Sequence, residues 1–239
     1  MENLAFIDLY CERTEAGFWN EPLNALSNVA FPLAALWVLP AALGRPKRDV
    51  LELGLIALAG LIGVGSFLFH TLANPAAELA DVIPIWSFVA LFVLTVIYRS
   101  TQQDILRTLW IATIAALMTG AIVWFTGRDV TTDTGDMPGV LNGSLQYLPA
   151  LSALVVFTTV TQRNGHPARH LVLTATLIFM VSLGMRTIDL SLCGATGGVG
   201  THFIWHVLNA LMIGLLLQVL VRHLPPLGDG HEIQRKDTP

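Results

Sequence analysis

The chain has 239 residues, of which 54% are hydrophobic and only 13% charged, and its formal net charge is −4. Soluble domains carry about 25% charged residues, so this composition excludes an ordinary soluble globular protein. The small negative charge and scattered basic residues also exclude the electrostatic footprint of a nucleic-acid-binding protein. The composition predicts instead a helical protein embedded in the lipid bilayer.

The chain begins with an acidic segment, residues 1–22, in which Asp8, Glu12, Glu15 and Glu21 outnumber Arg13. Because this start is polar, we expect no cleavable signal peptide. Seven apolar runs follow, at residues 23–43, 50–70, 79–99, 105–126, 139–161, 169–190 and 201–222. Each run can cross about 30 Å of hydrocarbon at about 1.5 Å per residue. They predict an all-α polytopic membrane protein with seven transmembrane helices, forming one domain over residues 1–239.

The fifth run is the weakest, because Asn142, Ser144 and Gln146 interrupt its start. The runs lack period-two alternation and are about twice as long as a barrel strand, which excludes a transmembrane β-barrel.

The basic residues predict the orientation of the seven spans. With the termini on opposite sides, Arg13 and Arg128 fall on the N-terminal side. Ten others fall on the opposite side: Arg45, Lys47, Arg48, Arg99, Arg107, Arg163, Arg169, Arg222, Arg235 and Lys236. By the positive-inside rule, the N-terminus faces outward, and the tail at residues 223–239 is cytoplasmic.

The two cysteines, Cys11 and Cys193, fall on the same outer side, ahead of the first span and after the sixth. This shared oxidising location favours a disulfide between them. The alternative is that both are thiols that pack as small hydrophobic side chains. Their wide spacing excludes a compact cysteine-based metal knuckle.

Three histidines near the outward ends of spans form a candidate metal site. His202 and His206 are four residues apart in the last run, so a helix presents both imidazoles on one face. His70 closes the second run at the same predicted membrane depth. Polar groups inside a span are costly and usually functional. Three histidines and a water are typical of a catalytic zinc site.

Ser66 and Asp81 are the candidate catalytic residues beside this site. Ser66 lies one helical turn from His70 and could stabilise an oxyanion, or could bond back to the carbonyl of residue 62. Asp81 could handle the proton of a metal-activated water, or could cap the third span. Arg186 and Asp189, three residues apart near the end of the sixth run, most simply neutralise each other.

An ordered set of short motifs runs through nearly the whole chain and resembles the alkaline ceramidase family. The motifs are Cys11-Glu12, Glu21-Pro22-x-Asn24-x-x-Ser27-Asn28, Gly65-Ser66-x-x-Phe69-His70, Asp81-x-x-Pro84 and His202-x-x-Trp205-His206. The wider superfamily of seven-helix metal hydrolases includes the adiponectin and progestin receptor-like proteins. The resemblance implies zinc on His70, His202 and His206, with Ser66 and Asp81 as the remaining site positions. It also implies hydrolysis of ceramide to sphingosine and a fatty acid.

The resemblance further implies a calcium site in the acidic segment, with Glu12 and Glu21 at matching positions and Asp8 near a third. Carboxylate oxygens suit calcium, although a solvated acidic tail explains the same residues. Hydrolysis of another amide lipid is an alternative, and two functions of other kinds also remain open at this stage. One is a receptor-like zinc protein of the same superfamily, and the other is a lipid or ion carrier. A polar cluster near one membrane face argues against a carrier, whose sites usually lie at the midplane.

Overall fold

A computed structural model describes residues 6–130 and 140–227, and every regular element within them is helical. The helices are α1 (Pro22–Ser27), α2 (Ala30–Leu43), α3 (Val50–Leu72), α4 (Pro75–Ser100), α5 (Ile105–Val130), α6 (Leu148–Arg163), α7 (Arg169–Ile188) and α8 (His202–His223). Short 3-10 segments, Val140–Tyr147 and Leu190–Leu192, precede α6 and follow α7.

The predicted all-α polytopic membrane protein is confirmed. Six helical segments of the described chain are long and apolar enough to cross a membrane, with α1 and α2 counted together. The predicted fourth span corresponds to α5, which carries a shorter apolar stretch, Ile105–Ala121. The segment predicted between the fourth and fifth spans is 127–138. Helix α5 continues through its first four residues to Val130, and residues 131–138 lie outside the described residues, as do residues 228–239 of the predicted tail. The assignment of the chain to a single domain remains a prediction.

Local start signals explain where α4 begins, four residues earlier than predicted. Asn74 accepts a hydrogen bond from the backbone N–H of Ala77 at 2.9 Å, and Pro75 occupies the first helical position. Both are strong helix-start signals. Asp81 therefore lies in the second turn of α4, and its alternative assignment as the helix cap is wrong.

The first span is broken between α1 and α2, at Asn28 and Val29. Pro32 has no backbone N–H to donate to the carbonyl of Asn28, so the helical ladder is interrupted there. The break leaves α1 as a short helix that carries Asn24 and Ser27 to the end of the molecule where the histidines lie.

Helix α8 lies at the centre of the bundle. In its apolar window, 72% of the residues are buried, compared with 44% or less in the other five membrane-spanning segments. Its neighbours are α7, α2 and α3, and α3 in turn packs along α4. A central α8 places His202 and His206 inside the protein, where α3 can bring His70 to meet them.

A buried ion-pair cluster closes the opposite end of the bundle. Arg99, at the end of α4, bonds Asp49 at 2.6 Å and Glu52 at 2.9 Å at the start of α3. Its guanidinium also donates to the carbonyl of Leu220 in α8 at 3.1 Å. The cluster therefore ties three helices together at the end farthest from the histidines.

Candidate metal and catalytic site

The three predicted histidine ligands converge in the structure. His70 lies near the end of α3, and His202 and His206 lie in the first turns of α8. One ligand atom from each comes within 4.8 Å of the others, and all three side chains are buried. Among the histidines, cysteines and carboxylates of the described residues, these three form the group that could hold a metal ion.

A hydrogen-bond partner at Nδ1 orients each of two of these imidazoles. The Nδ1 atom of His70 lies 2.5 Å from Oε2 of Glu21, and Nδ1 of His206 lies 2.7 Å from Oγ of Ser27. The Ser27 hydroxyl donates its own hydrogen to the carbonyl of Asn24 at 2.8 Å, so it accepts a hydrogen from His206. An ionised Glu21 likewise accepts from Nδ1 of His70.

These hydrogen bonds leave the Nε2 atoms of both imidazoles as acceptors. The two Nε2 atoms face each other at 3.2 Å. In neutral imidazoles with protonated Nδ1, both carry lone pairs and repel one another. A cation that takes both lone pairs, with His202 as a third ligand, removes that repulsion. The residues present therefore fit a metal ion, and the hydrogen bonds at Nδ1 are those usual for metal-binding histidines.

Glu21 joins the N-terminal segment to this site. Its carboxylate accepts from Nε of Arg13 at 2.5 Å and from the side chain of Asn24 at 3.0 Å, besides bonding His70. Burial favours the protonated carboxyl, but hydrogen bonds from His70, Asn24 and Arg13 hold the pKa of Glu21 below its ordinary value. Arg13 also donates to the backbone carbonyl of His70 at 2.8 Å.

His202 is positioned by its backbone and by one aromatic ring. The ring of Tyr10 stacks on its imidazole, with centroids 3.6 Å apart. Burial raises the pKa of the Tyr10 hydroxyl, which stays protonated. Asp189 accepts from the backbone N–H groups of Thr201 at 2.6 Å and His202 at 2.9 Å, and so fixes the start of α8. Nδ1 of His202 has no hydrogen-bond partner among the described residues.

Asp189 also holds the N-terminal segment against α8. Its second oxygen accepts from the backbone N–H of Cys11 at 2.9 Å. Cys11 is bonded to Cys193 in the structure, with Cα atoms 5.4 Å apart. Gly200, with φ +71°, leaves room here, because a side chain on it would overlap Asp189 and Cys11.

Ser66 and Asp81 lie beside each other where α3 and α4 pack closely. Ser66 is buried and lies close enough to interact with the Asp81 carboxylate, which is also electrostatically coupled to His70. Oδ1 of Asp81 is buried and has no partner among the described residues. Gly65 permits this approach, since any side chain there would overlap the carbonyl of Ala80. The predicted catalytic pair is therefore brought to the histidines.

The prediction that Arg186 and Asp189 neutralise each other is wrong. Asp189 accepts three backbone N–H groups, and its carboxylate forms no ion pair with Arg186. The guanidinium of Arg186 instead donates from Nη1 to the hydroxyl of Tyr10 at 3.0 Å and lies over aromatic rings. The reason is that α8 begins beside Asp189 and has unpaired N–H groups that a carboxylate satisfies.

The acidic residues of the predicted calcium site do not converge as the histidines do. Glu12 accepts from the backbone N–H groups of Leu23 and Asn24, both at 2.8 Å, and so caps α1. Burial raises the pKa of Glu12, although these two backbone bonds act to lower it. Glu21 has the three protein donors described above, and Asp8 is exposed. Calcium binding here stays a prediction.

The sequence did not reveal four contributions to the site. Ser27 was visible only as a motif position, and Glu21 only as a motif position and a candidate calcium ligand. Tyr10 and Asp189 carried no role in metal binding. An acidic residue and a serine ahead of an apolar run give no signal that they will orient histidines far along the chain. The buried positions of Arg13 and Glu21 depend likewise on contacts that only the folded chain makes.

The fold and the site define a polytopic helical membrane protein with three buried imidazoles that can hold a metal ion, and with a serine and an aspartate beside them. The family model for ceramidases matches residues 10–226, and the chain belongs to that family. The resemblance stated from the motifs is thereby confirmed. Membership identifies a hydrolase of amide bonds that acts on a lipid substrate. No curated protein matches the chain.

Proposed function

We propose that this protein is a zinc-dependent ceramidase that hydrolyses the amide of ceramide to sphingosine and a free fatty acid. The observation that carries the proposal is the close approach of the Nε2 atoms of His70 and His206, 3.2 Å apart, with Ser66 and Asp81 beside them. Zinc held by His70, His202 and His206 would supply a Lewis acid and make a water molecule nucleophilic near neutral pH. A purely structural site needs no hydroxyl and carboxylate at an open position.

The side chains around the histidines have separate roles in the proposed reaction. Asp81 accepts a proton from the attacking water through its unpartnered oxygen and later passes that proton to the departing amine. The hydroxyl of Ser66 donates a hydrogen bond to the oxyanion that develops on the amide carbonyl. Glu21 and Ser27 hold His70 and His206 in the tautomers that present Nε2 to the site.

We also propose that this site faces the outer side of the membrane, as the distribution of basic residues predicts. The N-terminal segment packs against the histidine end of the bundle, since Arg13 bonds both Glu21 and the carbonyl of His70. The N-terminal segment and the site therefore lie at one end. The proposed oxidised pair, Cys11 and Cys193, lies at that same end and suits an extracytoplasmic location.

The test uses purified full-length protein in detergent, with zinc content measured by mass spectrometry and fatty-acid release measured from ceramide. Asp81→Asn should keep zinc and turn over poorly. Ser66→Ala should keep zinc and lose about 10²–10³-fold in turnover, the usual effect of one oxyanion donor. His206→Ala should lose zinc and activity together.

His170→Ala is the matched control, because His170 is an exposed histidine on α7 away from the site. It should retain both zinc and activity. Equal turnover by wild type and Asp81→Asn would remove Asp81 from the chemistry. A zinc-loaded wild type that is inert on every amide lipid would favour the receptor-like alternative.

A further inference from the structure

Arg186 is a buried cation that contacts no counter-charge among the described residues. Its residue exposure is 6%. Of the carboxylates that the structure describes, none lies within 4.0 Å of its guanidinium nitrogens. Nε is buried and has no hydrogen-bond partner in the described chain. A guanidinium inside a membrane-spanning helix is costly and is usually paired or functional.

Aromatic rings hold this guanidinium without neutralising it. Its central carbon lies 5.4 Å from the ring centroid of Tyr10, 5.5 Å from that of Tyr147 and 5.8 Å from that of Trp205. Cation–π contacts stabilise the charge but leave its N–H groups directed elsewhere. Within the described part of the chain, its hydrogen bond to a side chain is to the neutral hydroxyl of Tyr10. The guanidinium is therefore held in place with its full positive charge.

The guanidinium of Arg186 lies in the same part of the bundle interior as the histidines. Tyr10, which it bonds, stacks on His202, and Trp205, which it overlies, immediately precedes His206. Arg186 also interacts electrostatically with His202, His206 and Asp81. By contrast, the other buried arginines that the structure describes, Arg13 and Arg99, contact carboxylates directly. Arg186 therefore lies in the same part of the bundle as the histidines, with no carboxylate of the described residues in contact with it.

We propose that Arg186 binds the carboxylate of the fatty acid that hydrolysis releases. The identity of this ligand rests on the proposed function. Adding water across the amide C–N bond gives a carboxylate and a protonated amine, so the stable anion that the reaction generates is the carboxylate of the product. A planar guanidinium with a free Nε matches a carboxylate geometrically. A phosphate on a single-chain lipid shares the anionic chemistry and is compared directly below.

The experiment measures equilibrium binding of radiolabelled oleate, oleyl alcohol and oleyl phosphate to full-length protein in a nonionic detergent. Arg186→Gln keeps a hydrogen-bond donor for Tyr10 but removes the charge. It should weaken oleate binding about tenfold or more while leaving oleyl alcohol binding unchanged. Arg186→Lys keeps the charge without the planar fork and should fall between Arg186→Gln and wild type. Melting temperatures establish that each variant is folded.

His206→Ala separates Arg186 from the proposed metal as the source of affinity. We expect the preference for oleate over oleyl alcohol to persist in part in His206→Ala and to be lost in Arg186→Gln. Unchanged oleate binding in folded Arg186→Gln would overturn the proposal, as would tighter binding of oleyl phosphate than of oleate. If Arg186→Gln does not fold, an oleate preference in Arg186→Lys equal to that of wild type would overturn the planar-fork argument.

The binding readout distinguishes this proposal from the amidase proposal. Arg186-dependent oleate binding by a protein that cleaves no amide lipid would refute the amidase alone. Ceramide hydrolysis by a protein whose oleate affinity does not depend on residue 186 would refute the anion site alone.

Discussion

Glu21→Gln tests whether the N-terminal segment sets the metal affinity of the histidines. The substitution keeps the shape of Glu21 but replaces one carboxylate oxygen with an NH₂ group. In the structure, that carboxylate accepts from Arg13 at 2.5 Å, from His70 at 2.5 Å and from Asn24 at 3.0 Å. The new NH₂ must face at least one of these donors, and the Nδ1 proton of His70 loses its charged acceptor.

The expected loss follows from the role of such partners in metal sites. Removing a partner that orients a metal-binding histidine typically weakens metal affinity by about 10–100-fold. That range corresponds to about 1.4–2.7 kcal/mol of binding free energy. The variant should also unfold more easily, because the Arg13 guanidinium loses its buried carboxylate, a change that costs about 3–5 kcal/mol where no relaxation occurs.

Zinc affinity is measured by competition with a chromophoric chelator, on protein shown to be folded by its melting transition. Glu12→Gln is the matched control, since Glu12 lies in the same segment but bonds backbone N–H groups and contacts no histidine. Wild-type zinc affinity in Glu21→Gln would refute the role assigned to this carboxylate. Repeating the melts with calcium tests the remaining calcium prediction. A calcium-dependent rise in melting temperature that Glu21→Gln and Glu12→Gln both lose would support that site.

Three further predictions concern the scaffold. Arg99→Met should lower the free energy of unfolding by about 3–5 kcal/mol, because Asp49 and Glu52 are left buried without their cation. Chemical denaturation in detergent measures this free energy. A loss below about 1 kcal/mol would contradict a stabilising role for the ion-pair cluster. Cys193→Ser should cost about 2–4 kcal/mol by the same assay, and complete alkylation of both wild-type thiols under denaturing, non-reducing conditions would show that no disulfide forms. A cysteine introduced between positions 131 and 138, between the predicted fourth and fifth spans, should react with an impermeant reagent in intact cells, whereas labelling only after permeabilisation would reverse the predicted orientation.

The sequence was sufficient for features that depend on local pattern. Long apolar runs predict spans, and the i, i+4 spacing of His202 and His206 predicts one helical face. The weak start of the fifth run, around Asn142, corresponds to an irregular 3-10 segment with left-handed residues in the structure. His70 was placed with the pair because its membrane depth follows from counting along a helix.

The features that the sequence could not supply depend on packing between distant segments. Asp189 was paired with Arg186 from their spacing, yet the N–H groups at the start of α8 compete for the same carboxylate. Glu21 was a candidate calcium ligand, and its burial between Arg13 and His70 could not be read from the sequence. Spacing along one helix does not show which neighbouring element packs against a given side chain in the folded protein.

The contact between Ser27 and His206 spans 179 positions of the chain, and it has a consequence for biosynthesis. During synthesis, the first span enters the membrane long before α8 has been made. A nascent chain that lacks α8 offers His70 alone, so it cannot capture a metal ion with three imidazoles. Hydrolytic competence should therefore appear only when the final helix has inserted between α2, α3 and α7. A ribosome-bound or truncated chain would leave nearby lipids intact.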